Sequence, residues 1–573
     1  MAERPEHNVS SPSPGGTSTK AVRIISRAPP LPPWLGHDWF FAVVLILAVW
    51  LVYAPVWPAG FIWDDSSLIV ENPSLVGWPG LKEIWTTHQA DICPLTLTTI
   101  WAIHALWGLT PLPFHLLNLL FHTGCALLLW RVLLALRVPG ARLGAALWAL
   151  HPVQVESVAW VSEMKNTESG LFFLLAILMY IKWLRSPGPD RPFAVRSFYV
   201  LSLLCTALAL ACKLTTVVLP AVLCLCAWWI EGRWRWRNLP GLLPTALLAL
   251  AAAAFAAWSH GLDQAMACDP HWPRSWPERL VTAGDAVWFY LGKLLWPQLL
   301  MTVYPGWTAD AENFLSWLPL LAVIAGFSIL WLERGTRLRP WFFAFAYFLA
   351  ALFPALGLLD NFIFRYAPVF DHFQYLASMG PLALAGSGLV AFSRAVRPGL
   401  RAIRTVAAAG VLAVLALLTW QRAAVFQSDE TLWRDTLEKN PTCWLAHNNY
   451  GRALAQTGRI DEALDHFQQS VALYPNYDQA HDNLGNILDE KGRVDEAMLE
   501  YRKALALNPA NAFVYSNLGN LYFQRGNYDE AISLFQEALR LKPGFATARL
   551  NLARAQAAAA AQIKSSPPGQ PPP

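Results

Sequence analysis

Long apolar runs separated by short basic loops fill the chain from residue 39 to residue 421, and a different pattern succeeds them. A membrane-spanning helix needs about 20 mostly apolar residues. The runs that meet this demand are 39–57, 112–135, 142–160, 168–185, 197–212, 214–231, 240–258, 314–333, 340–358, 374–393 and 403–421. They predict a polytopic bundle of about eleven spans. Two more apolar stretches, 94–108 and 281–300, contain His, Lys and Pro. They are expected to be interfacial or re-entrant helices.

After residue 421 the apolar positions fall into a period of 34 residues. Gly451, Gly485 and Gly519 mark one repeat position, and Gly458, Gly492 and Gly526 a second. Ala463, Ala497 and Ala531 mark a third, and Pro475, Pro509 and Pro543 a fourth. This is the tetratricopeptide pattern of two antiparallel helices per repeat. The small residues let paired helices approach, and the Pro ends the second helix. The repeats are expected at 444–477, 478–511 and 512–545, with a capping helix to 562. The fold class is thus all-α: a transmembrane helical bundle, then an α-solenoid. The expected segments are a disordered cytoplasmic tail (1–36), a membrane domain (37–421), a linker (422–443), the repeats and cap (444–562) and a Pro-rich tail (563–573).

Composition agrees with a chain divided between lipid and water. Of 573 residues, 55% are hydrophobic and 14% charged, against about 25% charged in an ordinary soluble protein. The net charge is only +4, with its cations in short clusters between apolar runs. That reads as membrane topology and not as nucleic-acid binding. Basic clusters precede the first span and come after the second, fourth, sixth and eighth, and one precedes the last. Every second loop is therefore basic, which puts those loops and the N-terminus in the cytoplasm. An odd number of spans then puts the repeats outside it. Five of the eight Cys lie in apolar segments; Cys93 and Cys268 are a candidate pair on the outer side.

Ionisable groups gather at the outer ends of the predicted spans. The loop after the first span reads Phe61-Ile62-Trp63-Asp64-Asp65. Adjacent carboxylates there suit a catalytic base or a divalent-cation site. A solvated turn with a helix-capping Asp is the plainer alternative. His115 and Asn118 share a helix face, with His122 one turn further on. His151 and Glu156 sit at the outer end of the third predicted span, with Glu163 and Lys165 just beyond. Lys213 lies between the fifth and sixth spans, Lys293 in the 281–300 stretch, and Arg365, Asp371 and His372 before the tenth. Charges at membrane depth are expensive, which makes them functional candidates; the alternative is that the lysines snorkel and the histidines cap helix ends. In the repeats, Asn449, Asn483, Asn517 and Asn551 recur at one position of the first helix. Such an amide ladder could bond a peptide backbone in the concave groove.

The FIWDD motif, Pro94-Leu95-Thr96, the Pro-x-x-Phe-His-x-x-Asn stretch ending at Asn118 and the HPVQVE motif at 151–156 carry a resemblance. They resemble the transmembrane and tetratricopeptide-repeat protein O-mannosyltransferases, of the GT-C superfamily of polyprenyl-phosphate-sugar-dependent glycosyltransferases. Residues 288–297, 371–378 and 432–434 look like signatures of its bacterial branch. The resemblance covers about residues 40–562 and implies a GT-C-like membrane domain in an inner membrane, with the repeats periplasmic. It implies an inverting transfer of a mannose-like hexose to a protein hydroxyl or other envelope acceptor. One of Asp64 or Asp65 would be the base. Lys213, Arg365 and His372 would meet the donor phosphate, with His372 where eukaryotic members usually carry Arg. His115, Asn118, His151, Glu156 and Lys293 would position donor or acceptor. The only cofactor implied is a divalent cation, Mg or Mn, with Asp64, Asp65 and Glu156 as candidate ligands. The expected partners are the membrane, the lipid-linked donor and a protein or peptide in the repeat groove. The competing class is a non-enzymatic membrane-anchored scaffold, which Asp64 and Asp65 substitutions separate from an enzyme. A transporter lacks support, because no pair of broken helices recurs in two halves.

Overall fold

The computed structural model describes residues 37–87, 93–186, 192–235, 239–266, 274–359, 362–395 and 401–565. Cys268, the candidate partner of Cys93, lies outside the described residues, as do the tails at 1–36 and 566–573. The chain divides into compact units at 1–44 and 45–573, and the second carries both the bundle and the repeats. All regular structure among the described residues is helical.

The membrane half contains α1 (Asp38–Val52), α2 (Gly77–Thr86), α3 (Pro94–Trp107), α4 (Pro111–Ala135), α5 (Ala141–Ala149), α6 (Val155–Ala159), α7 (Met164–Arg185) and α8 (Pro192–Cys212). It continues with α9 (Leu219–Glu231), α10 (Leu239–Met266), α11 (Trp276–Leu295), α12 (Leu318–Leu332), α13 (Arg339–Leu352), α14 (Met379–Ala395) and α15 (Arg401–Val425). Among the described residues, six helical segments are long and apolar enough to cross a bilayer, and four shorter ones are apolar as well. These ten correspond to ten of the eleven expected spans.

The eleventh, 142–160, is interrupted. Pro152 has no N–H to give a helix and pushes the residue before it into an extended conformation. His151 accordingly has ψ 131°, and α5 stops two residues earlier, at Ala149. Nine residues of helix span about 14 Å, less than half of a hydrocarbon core of about 30 Å. The chain then passes through a short 3-10 turn, α6 and a second 3-10 turn before α7 begins. Every residue from Gly144 to Met164 is buried. Irregular backbone at membrane depth is tolerated where protein covers it. This buried corner is what allows Gln154, Glu156, Ser162 and Glu163 to sit inside the bundle. It is held against α14 at close range: a Cβ on Gly386 would lie 2.5 Å from the Gly144 nitrogen.

Helix α16 (Asp429–Lys439) joins the bundle to the array. Lys439 Nζ donates to the Leu300 carbonyl at 2.8 Å and Asn440 Nδ2 to that of Val303 at 3.2 Å, so α16 is fastened to the loop after α11. The array comprises α17 (Trp444–Gln456), α18 (Ile460–Leu473), α19 (Asp478–Glu490), α20 (Val494–Leu507), α21 (Ala512–Gln524), α22 (Tyr528–Leu541) and α23 (Ala546–Ser565). The repeated glycines have separate uses. Gly451, Gly485 and Gly519 lie against the rings of Phe467, Tyr501 and Phe535, where an added Cβ would come within about 3 Å. Gly458, Gly492 and Gly526 turn the chain between helices at φ of +80°, +72° and +78°.

Candidate active site

Trp63 begins the site. Its φ of +47° is the left-handed region, which an aromatic residue rarely occupies. The turn sends the next two carboxylates to different environments. Asp64 is exposed, and its carbonyl accepts from Ser67 Oγ at 3.0 Å. Asp65 is fully buried. One Asp65 oxygen accepts from the Ile62 N–H at 3.1 Å, and the other from the Ser162 N–H at 2.7 Å and Oγ at 2.5 Å. Burial pushes the Asp65 carboxyl up to about 7, and these hydrogen bonds oppose the rise. The loop after α1 is thereby clamped to the buried corner before α7.

A second cluster lies along that corner. Glu163 Oε2 meets Lys213 Nζ at 3.2 Å, and Glu163 Oε1 meets Lys165 at 3.4 Å and His372 Nε2 at 3.8 Å. Lys213 also donates to Asn166 Oδ1 at 2.7 Å. Glu156 Oε2 accepts the His372 N–H at 3.0 Å, while its other oxygen lies 3.2 Å from His372 Nδ1. His372 thus bridges two buried carboxylates, and Lys213 shares one of them. Next to it, Asp371 accepts from Tyr304 Oη at 3.0 Å. Burial first, and the charge of Glu156 second, push the Asp371 carboxyl up to about 7. Arg422 and Lys293 pull it down. Lys293 itself donates to the carbonyls of Gln298 and Leu299, with its ammonium 5.3 Å from the Tyr304 ring centre.

The remaining candidates have structural contacts. Asn118 donates to the carbonyls of Ser157, Val158 and Trp160 and accepts from Thr167, which holds the buried corner on α4. His115 Nε2 lies 3.3 Å from the Gly60 carbonyl. His151 Nε2 contacts the Leu294 carbonyl at 3.1 Å, tying the corner to α11. Arg365 sits beside Tyr366, donating to its hydroxyl at 2.5 Å. In the array, Asn483, Asn517 and Asn551 donate to Asn448, Asn486 and Asn520 of the preceding unit, so the ladder also zips neighbouring repeats together.

Several residues of the site carry no motif in the sequence. Ser162, Asn166, Tyr304 and Arg422 are single polar residues whose partners are remote. Ser162 and Arg422 stand at the ends of apolar runs beside other polar residues, Glu163 and Gln421, and no spacing links them to their partners. No group of three or more His, Cys, Asp or Glu is arranged to hold a metal among the described residues, and Asp65 and Glu156 already accept N–H groups.

Tetratricopeptide-repeat descriptions match residues 444–477 and 512–545, and a TPR-repeat description matches 485–524. The chain is 25% identical over 500 residues to the human protein O-mannosyl-transferase TMTC4, covering 75% of this chain and 66% of that one. It is 32% identical over 200 residues to mouse protein O-mannosyl-transferase TMTC3, covering 32% of this chain and 21% of that one. The chain thus spans less than two thirds of the length of these relatives. Among solved structures, a MamA protein aligns at 22% identity with a TM-score of 0.22, over 24% of this chain and 74% of that one. The chain is a helical membrane protein with a C-terminal repeat solenoid, similar along three quarters of its length to a protein O-mannosyl-transferase.

Proposed function

We propose that the chain is a GT-C-type inverting glycosyltransferase of a bacterial inner membrane. It moves a mannose-like hexose from a polyprenyl-phosphate donor to a protein hydroxyl or another envelope acceptor. The observation that carries this reading is the unequal pair Asp64 and Asp65: one carboxylate exposed, the other buried and clamped beside it. Asp64 is the general base. It takes the acceptor's hydroxyl proton as that oxygen attacks the anomeric carbon. The bond from that carbon to the phosphate oxygen breaks, and the lipid phosphate leaves with the electron pair. Asp65 holds the loop on Ser162. Lys213, His372 and Arg365 are assigned to the donor phosphate, and Glu156 and Glu163 hold His372 and Lys213 for that task. In this reading the broken stretch 142–160 still changes sides, because Ser162 just past it meets Asp65 of the loop after α1, and the repeats present the acceptor on the same extracytoplasmic side.

Mass spectrometry of envelope proteins and glycans tests this in a deletion strain complemented with wild type or Asp64→Asn. Hexose on specific acceptors should vanish in the deletion, return with wild type and stay absent with the variant. Unchanged glycosylation in all strains would sink the enzyme reading and leave a membrane-held scaffold.

A further inference from the structure

Asp429 is the first residue of α16, behind a Ser428 cap whose hydroxyl accepts the Thr431 N–H. Its Oδ1 accepts two N–H groups: the main chain of Trp63 at 2.8 Å and the Trp433 indole at 3.2 Å. The Trp63 ring stacks on Trp160 at 4.7 Å, with a 4° interplanar angle, and meets the edge of Trp433 at 5.1 Å. Two further bonds bind the same segments: Gly60 N–H to the Gln427 carbonyl at 3.1 Å, and Gln427 Nε2 to the Pro55 carbonyl at 3.1 Å. A left-handed aromatic residue is strained and persists only where its surroundings hold it. Here the holding groups come from the start of α16, 366 residues along the chain.

We propose that Asp429 is a positioning residue: its carboxylate fixes Trp63 in the left-handed turn that exposes Asp64 and buries Asp65. The inference rests on Asp64 being the base. It also gives the repeat array a physical connection to that base. Glu430, next to Asp429, pairs with Arg459 of the first repeat at 3.1 Å. Trp444, at the start of α17, lies 5.7 Å from the Tyr366 ring in the loop before Asp371. The first repeat therefore contacts the residue next to Asp429, at the end of α16 that holds the turn.

The test uses the full chain in phospholipid nanodiscs. Hydrogen exchange is measured across residues 60–66. Transfer is measured with polyprenyl-phosphate mannose as donor and envelope protein from the deletion strain as acceptor. Asp429→Ala should speed exchange in this segment about tenfold and lower kcat about tenfold, leaving the donor KM within about twofold. Asp429→Asn keeps an Oδ1 acceptor and should restore both. Should Asp429→Ala not fold, Asp429→Glu keeps the charge and displaces the oxygen, and the same two changes are expected. Exchange equal to wild type in the altered variants would overturn the proposal, as would faster exchange with unchanged kcat. The exchange measurement stands even if wild type transfers no sugar, so failure of the enzyme reading is seen separately.

Discussion

The repeat array and the membrane bundle are both helices packed on helices, but they join residues at different ranges. In the array, Gly485 meets Tyr501 and His481 meets Glu500, each within one repeat. In the bundle, Asp65 reaches Ser162, Glu156 reaches His372 and Trp63 reaches Asp429, across 97, 216 and 366 residues. The array also meets its polar needs largely at its surface, with ion pairs such as Arg493–Glu496. The bundle buries several of its charges, such as Asp65, Glu156 and Glu163, and those must be satisfied inside it. Short-range contacts repeat and therefore tolerate change one unit at a time. Long-range buried contacts occur once, and each holds several segments together.

That contrast orders the expected effects of mutation. The largest belongs to Glu163→Gln, which leaves the buried Lys213 without its carboxylate. Removing one partner of a buried pair costs about 3–5 kcal/mol, and melting in detergent should show it. Next is the pH response of Asp65 and Asp371, whose folded carboxyls lie near 7 against 3.8 unperturbed. Between those values the folded chain holds protons that the unfolded chain has released. Stability should therefore fall as pH rises from about 4 to about 7, and Asp65→Asn should flatten the slope. Smaller still is Gly485→Ala, whose new Cβ would meet the Tyr501 ring at 2.7 Å. Overpacking of this kind costs about 1–3 kcal/mol, and the same change at Gly519 should cost a similar amount if the repeats are alike. The smallest is Asn517→Ala, which removes an exposed inter-repeat bond worth about 1 kcal/mol or less by chemical denaturation. A cost for Asn517→Ala as large as that for Glu163→Gln would break the comparison.

The sequence made the same division visible. Apolar runs and the 34-residue period are local signals, and the helices and repeats they predict are present. The stretch 142–160 misled because its apolar composition outweighed Pro152, which with His151 ends α5 and opens the buried corner. Asp64, Asp65, Glu156, Lys213 and His372 could be singled out as charges near membrane depth. Which of the two aspartates is exposed could not be, because the answer depends on Ser162 and Asp429, each a lone polar residue with a distant partner. The Asn ladder was legible as a period, but its bonds to the preceding repeat arise from the stacking of units and not from the period alone.

The most direct measurement compares Asp64→Asn and Asp65→Asn in one assay of transfer from polyprenyl-phosphate mannose, with melting recorded in parallel. Asp64→Asn should lower kcat by about 10²–10⁴ and leave melting unchanged, as removal of an exposed general base would. Asp65→Asn should alter melting and its pH dependence while retaining measurable transfer. Full activity in Asp64→Asn, with transfer abolished in a normally melting Asp65→Asn, would contradict the assignment of Asp64 as the base.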